Sequence, residues 1–189
     1  MEAMEKTPVA LSEVYHLLNP GPVVLVSVKH GDRDNLFPVS WVMPACDDPP
    51  VVALLVAREH FSFPLLEQSG ELGINIPTLP VLDAVYGCGK TSGRDEPDKF
   101  ARFGLTREVS AEIGAPLVAE CVAGIECRVD RIHDVEGSAL IVARAVAARA
   151  APDCFRDGDW RFETGLALCH HLSSARFCVS ERVATARRP

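Results

Sequence analysis

The chain has 189 residues, of which 48% are hydrophobic and 24% are charged, and its 19 lysines and arginines against 26 aspartates and glutamates give a formal net charge of −7. This acidic balance argues against sequence-independent binding of nucleic acid, which needs a basic surplus on the surface. The composition is that of a globular protein, and we expect residues 1–189 to form a single domain.

The sequence offers no signal for a membrane, for export or for a metal. Its longest apolar run, residues 51–57, is far shorter than the roughly 18 residues of a membrane span. Residues 1–8 carry three charged side chains and no apolar signal segment, so we expect a cytoplasmic protein. The seven cysteines include no CxxC pair, which favours free buried thiols over a zinc site or a redox pair.

The first third of the chain predicts one helix followed by strands. Apolar residues at helical spacing predict a helix over residues 9–18, ended by Asn19-Pro20-Gly21-Pro22. Strands are predicted over residues 23–28, 36–43 and 51–56, joined by polar turns. We expect these three strands to form an antiparallel meander, with the third one buried on both faces.

The remainder predicts further short strands. A short helix is expected over residues 64–68, a strand over 72–76, and loops with short helices over 77–116. Residues 123–130 alternate between apolar and polar, as in a half-buried strand, and residues 140–146 are the expected partner. The last structured stretch is predicted over 166–183, before a mobile tail at 184–189. Many short strands and few long helices indicate a closed or partly closed β-barrel.

Several catalytic motifs are incomplete. Residues 84–91 nearly match a phosphate-binding loop, but Ala84 replaces its first glycine, and Pro97 interrupts the helix that must follow. His170 and His171 are neighbours on a predicted strand and therefore point to opposite faces, where they cannot share a metal. The sequence also lacks HExxH and GxSxG motifs. No metal ligand, nucleophile or other catalytic residue is identified.

Residues 90–107 are locally basic, with five lysines and arginines against three acidic residues. Glycines at positions 87, 89 and 93 let the backbone approach a ligand closely, and lysine and arginine bind phosphate oxygens. The segment is therefore either part of a phosphate-binding site or a solvated loop, because charge runs are often only wet surface. The residues alone leave both interpretations open.

Read together and in order, several motifs resemble those of one family: Asn35-Leu-Phe-Pro-Val-Ser-Trp41, the Asp-Pro-Pro turn at 48–50, Arg58-Glu-His-Phe-Ser62, Gly73-Ile-Asn-Ile-Pro77, Ser92-Gly-Arg-Asp-Glu-Pro-Asp-Lys-Phe100 and His171-Leu-Ser-Ser-Ala-Arg-Phe177. They are similar to motifs of the flavin reductase-like, FMN-binding split-barrel proteins, closest to the flavoredoxin branch. The resemblance covers about residues 19–183. It implies a mainly β fold, an antiparallel Greek-key split barrel with a few flanking short helices, that forms a homodimer and holds FMN near the subunit interface.

The resemblance also implies which residues contact FMN. Asn35, Ser40 and Trp41 would lie along the isoalloxazine ring and the ribityl chain, and Lys99 would reach the cofactor from the basic loop. Taken singly, Trp41 also fits a core role, Asn35 a turn and Lys99 a helix surface. The full set implied to bind the cofactor is Asn35, Ser40, Trp41, Arg58, His60, Phe61, Ser62, Ser92, Arg94 and Lys99.

Two departures from the family pattern concern turnover more than FMN binding. Ser173-Ser174 stands where members commonly have two glycines, which would narrow the cleft over the flavin. Residues 136–139 replace a Gly-Asp-His tract, so a histidine facing the cofactor is missing, and His133 is the nearby substitute.

The function implied by the resemblance is an FMN-binding oxidoreductase of the flavin reductase type, which passes hydride from NADH or NADPH to flavin and on to an acceptor. The alternative is a non-enzymatic FMN electron carrier that serves a protein redox partner. A third hypothesis is a split-barrel module for another ligand or for dimerisation alone. FMN brings its own redox chemistry, so the protein need supply only a shaped cleft and hydrogen bonds. The expected small-molecule partners are a nicotinamide and a flavin, with no nucleic acid and no membrane.

Overall fold

The structure, a computed structural model, describes residues 4–180 and 182–186. Its α-helices are α1 (Val14–Leu18), α2 (Ser62–Ser69), α3 (Leu82–Lys90) and α4 (Lys99–Arg102), and 3-10 turns lie at Leu11–Glu13, Leu79–Val81 and Phe162–Thr164. Its strands are β1 (Gly21–Pro22), β2 (Val24–His30), β3 (Arg33–Val39), β4 (Val42–Cys46), β5 (Val51–Ala57), β6 (Glu71–Ile76), β7 (Arg107–Glu108), β8 (Leu117–Val118), β9 (Ala123–Val135), β10 (Ser138–Ala150), β11 (Phe155–Arg156), β12 (Asp159–Trp160), β13 (Leu168–Ser173) and β14 (Arg176–Ser180).

A seven-stranded antiparallel sheet dominates the fold, in the order β3-β2-β6-β9-β10-β5-β4. Its longest hairpin, β9–β10, turns at Glu136 and Gly137, as predicted, and both residues have positive φ angles. A second sheet, in the order β1-β13-β14, joins the start of the chain to the C-terminal hairpin. No helix within residues 4–180 and 182–186 combines the length and apolar character needed to cross a membrane.

Most of the predicted elements form, with shifted ends. The helix predicted over residues 9–18 is a 3-10 turn followed by α1, and the helix predicted over 64–68 is α2, which ends at Gly70 in the left-handed conformation. The last predicted stretch contains β13 and β14. In the tail that was predicted to be mobile, residues 184–186 form no helix or strand, and residues 187–189 lie outside the described residues.

Three predictions about the early strands are wrong. The strand predicted over residues 36–43 is broken by a bend at Ser40 and Trp41, where β3 ends and β4 begins. The meander does not form either, because β3 pairs with β2, whereas β5 pairs with β4 and with β10. Val51, Val52 and Leu55 are only half-buried, so β5 is not buried on both faces. Apolar periodicity reports burial and carries no information on which distant strand is the partner.

The strand that is buried on both faces is β2. Val24, Val26 and Val28 belong to an apolar cluster that β2 shares with α2, β5, β6 and β10. Val23, just before the strand, and Leu25 belong to a second cluster on the opposite face, with side chains from α3 and α4. The strand therefore separates the two halves of the core.

A buried amide joins β2 to its neighbour β6. Asn75 on β6 is fully buried, and its Nδ2 donates a hydrogen bond to the carbonyl of Leu25 at 3.0 Å, while its Oδ1 accepts one from the backbone N–H of Val118 at 2.8 Å. Two residues along the same pair of strands, Gly73 lies opposite Ser27. A Cβ atom at Gly73 would overlap the Ser27 hydroxyl, so only glycine fits there.

The predicted alternation over residues 123–130 is wrong at Glu126, which was expected to face solvent and is 1% exposed. Its carboxylate accepts hydrogen bonds from the backbone N–H groups of Ala111 and Glu112, at 2.9 and 2.6 Å, and from Arg149 at 2.9 Å. Burial acts to raise the pKa of Glu126, but the two amide hydrogens and Arg149 outweigh it, so the pKa lies below its ordinary value. The carboxylate thereby holds the loop before β8 against the sheet.

Candidate functional site

A cavity of about 620 Å³, here called the main cavity, lies between β3, the loop before α2, the end of α3 and the start of α4. Seven of the ten predicted cofactor-binding residues line it: Asn35, His60, Phe61, Ser62, Ser92, Arg94 and Lys99. The lining residues that sequence reasoning did not place in the set are Phe37, Pro38, Glu59, Cys88, Gly89, Lys90, Thr91 and Gly93. Three of them, Glu59, Thr91 and Gly93, adjoin a predicted residue along the chain, and Gly89 and Lys90 belong to the glycine-containing basic stretch that the sequence already indicated.

A buried polar pair lies at the base of the main cavity. The Nδ2 of Asn35 donates a hydrogen bond to the Oγ of Ser62 at 2.7 Å, and the two side chains are 4% and 2% exposed. Because the Ser62 oxygen accepts from Asn35, its own hydroxyl proton is left to donate to a ligand. Asn35 lies within β3, opposite Val28, so the alternative interpretation of Asn35 as a turn residue is wrong.

Lys99 is buried, which overturns its interpretation as a helix-surface charge. Its Nζ donates hydrogen bonds to the carbonyls of Leu36 and Cys88, at 2.8 and 2.9 Å. Burial lowers the pKa of the Lys99 ammonium, and the neighbouring Cys88 thiol acts in the opposite direction. Since an ammonium group has three N–H donors, two of them fix the backbone and the third is available to a ligand in the cavity.

An ion-pair clamp holds the segments that carry these side chains. The Nε of Arg107 lies 2.7 Å from Asp34, and its Nη2 lies 2.9 Å from Asp98. The guanidinium also stacks over the ring of Phe100, at 4.4 Å from the centroid. Hydrogen bonding to Asp34 raises the pKa of Arg107. Asp34 and Asp98 each directly precede a cavity residue in the chain, so the clamp links β3 to the start of α4.

The main cavity is basic although the chain as a whole is acidic. Three cationic side chains, Lys90, Arg94 and Lys99, line it against one carboxylate, Glu59. The Nη2 of Arg94 donates to the backbone carbonyl of Glu59 at 3.1 Å, and the Arg94 backbone N–H donates to the Ser92 hydroxyl at 3.1 Å. Lys90 and Arg94 form no ion pair within the part of the chain that the structure describes. Both charges are therefore available to an anion.

Glycines let the walls of this cavity close. A Cβ atom at Gly93 would overlap the ring of Phe61 and lie 3.0 Å from Cγ of Asn35, and one at Gly89 would lie 2.8 Å from Cγ of Pro38. Residues 84–90, which nearly match a phosphate-binding loop, are helical in α3. Their glycines thus serve close packing rather than a nucleotide-binding loop.

The other three predicted residues lie outside the main cavity. Ser40 and Trp41 line a neighbouring cavity of about 170 Å³ together with His60, which the two cavities share. Trp41 is 51% exposed, so its alternative role as core filler is wrong. Arg58 instead pairs with Asp134 on β9, where its Nε donates to Oδ1 at 2.8 Å. The structure therefore gives Arg58 an ion pair at the end of the sheet and no contact with the main cavity.

The described residues contain no group of three or more His, Cys, Asp or Glu side chains that could hold a metal ion. His170 shares a 2.8 Å hydrogen bond with the Ser180 hydroxyl, and the Nε2 of His171 lies 3.2 Å from the carbonyl of Ser174.

In the main cavity, burial raises the pKa of the Cys88 thiol to about 11. This thiol is therefore poorly suited to act as a nucleophile near neutral pH.

Comparisons with known sequences point to one family. Residues 16–165 match the family described as "Flavin reductase like domain". The chain is 34% identical over 184 residues to the uncharacterized protein YddH of Escherichia coli K12, which covers 95% of this chain and 97% of that protein. It is 29% identical over 144 residues, 73% of each chain, to the flavin-dependent monooxygenase reductase subunit HsaB of Mycobacterium tuberculosis.

Solved structures share the fold. An FMN-binding domain of a flavin reductases-like enzyme from Shewanella baltica superposes with a TM-score of 0.80 at 26% identity, over 95% of this chain and 96% of that one. The flavoredoxin of Desulfovibrio vulgaris superposes with a TM-score of 0.81 at 24% identity, over 97% of each chain. The predicted mainly β, FMN-binding split-barrel fold is confirmed. The protein belongs to the flavin reductase-like family.

Proposed function

We propose that this protein is an FMN-dependent oxidoreductase of the flavin reductase type, which acts in the cytoplasm and takes reducing equivalents from NADH or NADPH. The observation that carries the proposal is the main cavity, which is basic within an acidic chain and is built on the buried Asn35–Ser62 pair and on Lys99. Family membership and the reductase relative HsaB support the assignment to this type.

The side chains of the main cavity fit a flavin mononucleotide. The hydroxyls of Ser62 and Ser92 and the guanidinium of Arg94 are donors of the kind that bind a phosphate group. Asn35 and Lys99 would donate to the polar atoms of the ribityl chain or the ring. A cation-rich site with few carboxylates suits the two negative charges of the phosphate.

The isoalloxazine ring would lie where the main cavity meets the neighbouring cavity. The neighbouring cavity, lined by Trp41, Leu55 and Val56, shares His60 with the main cavity, so a long ligand has room to extend from one into the other. FMN, when bound, supplies the electron-accepting ring. The protein's own residues would bind the phosphate, orient the ring and exclude water around Phe61. None of these roles requires a nucleophile or a metal.

We also propose that the protein is a homodimer. Large apolar side chains are exposed around α1 and the start of β4, including Leu18 at 82%, Met43 at 59% and Trp41 at 51%. They adjoin an apolar hollow of about 530 Å³ lined by Tyr15 and Leu54 among others. Contiguous apolar surface of this kind marks an interaction site. Light scattering after gel filtration would give twice the chain mass, and a monomer at every concentration would contradict the proposal.

The direct test of FMN binding is the absorbance spectrum of the purified protein, recorded before and after FMN is added and the excess is removed. We expect a retained yellow chromophore and quenching of FMN fluorescence on titration. Anaerobic addition of NADH or NADPH should then reduce the bound FMN and bleach its visible absorbance band at a rate typical of enzymatic turnover. A protein that is colourless once the excess FMN has been removed, and that does not quench FMN fluorescence on titration, would refute the proposal.

A second candidate is an FMN electron carrier without enzymatic activity. The observation that favours it is the flavoredoxin of Desulfovibrio vulgaris, which shares the fold with a TM-score of 0.81 at 24% identity. The same anaerobic experiment separates the two candidates. Bleaching by a nicotinamide alone supports the reductase, whereas bleaching only after a reduced redox protein is added supports the carrier.

A further inference from the structure

A second cavity, of about 180 Å³, opens beside the main cavity, and we call it the side cavity. The two cavities share Pro38, Gly89 and Lys90. Its remaining walls come from α3, from the β13–β14 hairpin, and from Val23 and Ser40. The side chains on these walls that matter here are Tyr86, His171 and Phe177.

The side cavity has aromatic walls and one cation. The rings of His171 and Phe177 lie 5.1 Å apart between centroids at an interplanar angle of 59°. On α3, the Nζ of Lys90 lies 5.4 Å from the centroid of the Tyr86 ring. The carbonyl of Ser174 accepts from the Nε2 of His171, at 3.2 Å, which fixes the orientation of that ring.

The charge of the side cavity has one sign. Among the described residues that line it, Lys90 is the one lysine or arginine, and no aspartate or glutamate is present. Lys90 pairs with no carboxylate within the described residues. A cation beside aromatic faces attracts an anion that also carries a flat π surface.

We propose that the side cavity binds a small planar aromatic anion, such as an aromatic carboxylate. Its ring packs against Tyr86 and the His171–Phe177 pair, and its charge faces Lys90. Drug-sized ligands occupy cavities of roughly 300 to 1,000 Å³, so 180 Å³ suits a single substituted ring rather than a dinucleotide. The placement of this ligand beside a flavin rests on the proposed function, whereas the binding itself does not.

The test compares three probes by calorimetry or NMR titration: benzoate, cyclohexanecarboxylate, which has the charge without the aromatic ring, and benzyl alcohol, which has the ring without the charge. We expect benzoate to bind about two- to fivefold more tightly than either of the others, since one exposed charge or one ring contact contributes about 0.5–1 kcal/mol. Lys90→Met should remove the preference for benzoate over benzyl alcohol. Tyr86→Leu should remove the preference for benzoate over cyclohexanecarboxylate.

Lys29→Met is the matched control, because Lys29 is an exposed lysine on β2 that lines neither of the two cavities. Circular dichroism checks the folding of every variant, and Phe177→Leu replaces Tyr86→Leu if the latter unfolds. Equal affinity for the three probes, or the same benzoate affinity in Lys90→Met and Lys29→Met, would overturn the proposal. A separate FMN titration keeps the two questions apart, because selective benzoate binding without FMN binding would refute the proposed function and leave this inference standing.

Discussion

Replacing Lys99 with methionine removes the ammonium group from the main cavity and keeps a side chain of similar length. The Nζ donates to the carbonyls of Leu36 and Cys88, at 2.8 and 2.9 Å, so the substitution deprives two backbone carbonyls of a partner. It also removes the third N–H, which we infer donates to the bound ligand. The variant should therefore lose both folding stability and FMN affinity, and the two losses can be measured separately.

The magnitudes follow from these contacts. A hydrogen bond from a charged donor contributes about 1.5–3 kcal/mol, so loss of the ligand contact should raise the Kd for FMN by about tenfold to 150-fold. Loss of the two backbone contacts destabilises the fold, while removal of a buried charge offsets part of that loss. The free energy of unfolding without FMN should fall by about 1–3 kcal/mol.

The assay combines two titrations. Urea denaturation followed by circular dichroism gives the free energy of unfolding without FMN, and quenching of FMN fluorescence gives the Kd under conditions where the variant is fully folded. Lys29→Met is again the control, because this exposed lysine on β2 lies outside the main cavity. It should change the free energy of unfolding by less than about 0.5 kcal/mol.

Two results would refute the reasoning about Lys99. If folded Lys99→Met bound FMN with the affinity of Lys29→Met, the ammonium group would have no contact with the cofactor. If its free energy of unfolding matched that of the control, the bonds to the two carbonyls would be energetically negligible. The first result would mean that Lys99 acts on the cofactor only through its charge at a distance.

Three further predictions concern residues that support the site and the sheet. Arg107→Met should lower the free energy of unfolding, measured by urea denaturation, by about 2 kcal/mol, because it loses two ion pairs and a stacked ring. The control Arg144→Met loses one exposed ion pair and should lower the same free energy by less than about 1 kcal/mol. Glu126→Gln should lower the free energy of unfolding by about 2 kcal/mol at pH 7. Since folding lowers the pKa of Glu126, the difference in unfolding free energy between wild type and variant should shrink as the pH falls below 4.5. A constant difference down to pH 3 would contradict this assignment. Gly93→Ala should weaken FMN binding by displacing the neighbouring ring, whereas Gly114→Ala, whose Cβ meets no atom closer than 3.5 Å, should not; equal Kd values would count against a tight cavity wall.

The sequence predicts the local elements well and their long-range pairing poorly. The β9–β10 hairpin follows from alternation and an intervening turn, because both signals lie within a short stretch. The pairing of β5 with β10 joins residues far apart in the chain, and apolar pattern does not encode it. Residues 36–43 are apolar except for Ser40, and this pattern does not show that the chain leaves one edge of the sheet at Ser40 and continues at the opposite edge as β4.

The candidate site shows the same division. The motifs bring Asn35, Ser62 and Lys99 to one cavity, as the resemblance implies, although their hydrogen-bond partners could not be predicted. Lysines are rarely buried, so composition favours a surface position for Lys99, and only its carbonyl partners make burial tolerable. Short helices were expected within residues 77–116 without bounds, and α3 is one of them. Its two internal glycines each cost about 1 kcal/mol in a helix, and its buried Val85 indicates that tertiary packing compensates.

Because β2 is apolar on both faces, hydrophobic burial does little to fix its alignment with β6. In a strand with one solvent-exposed face, a slip by one residue would expose all of its apolar side chains. Both faces of β2 are buried against apolar side chains, so such a slip would leave them buried. The alignment of β2 with β6 is instead selected by the few polar and small residues of the two strands. A slipped pairing would separate Asn75 from the Leu25 carbonyl and bring a larger residue than Gly73 against Ser27. Specificity of the fold at its centre thus depends on one carboxamide and one missing side chain.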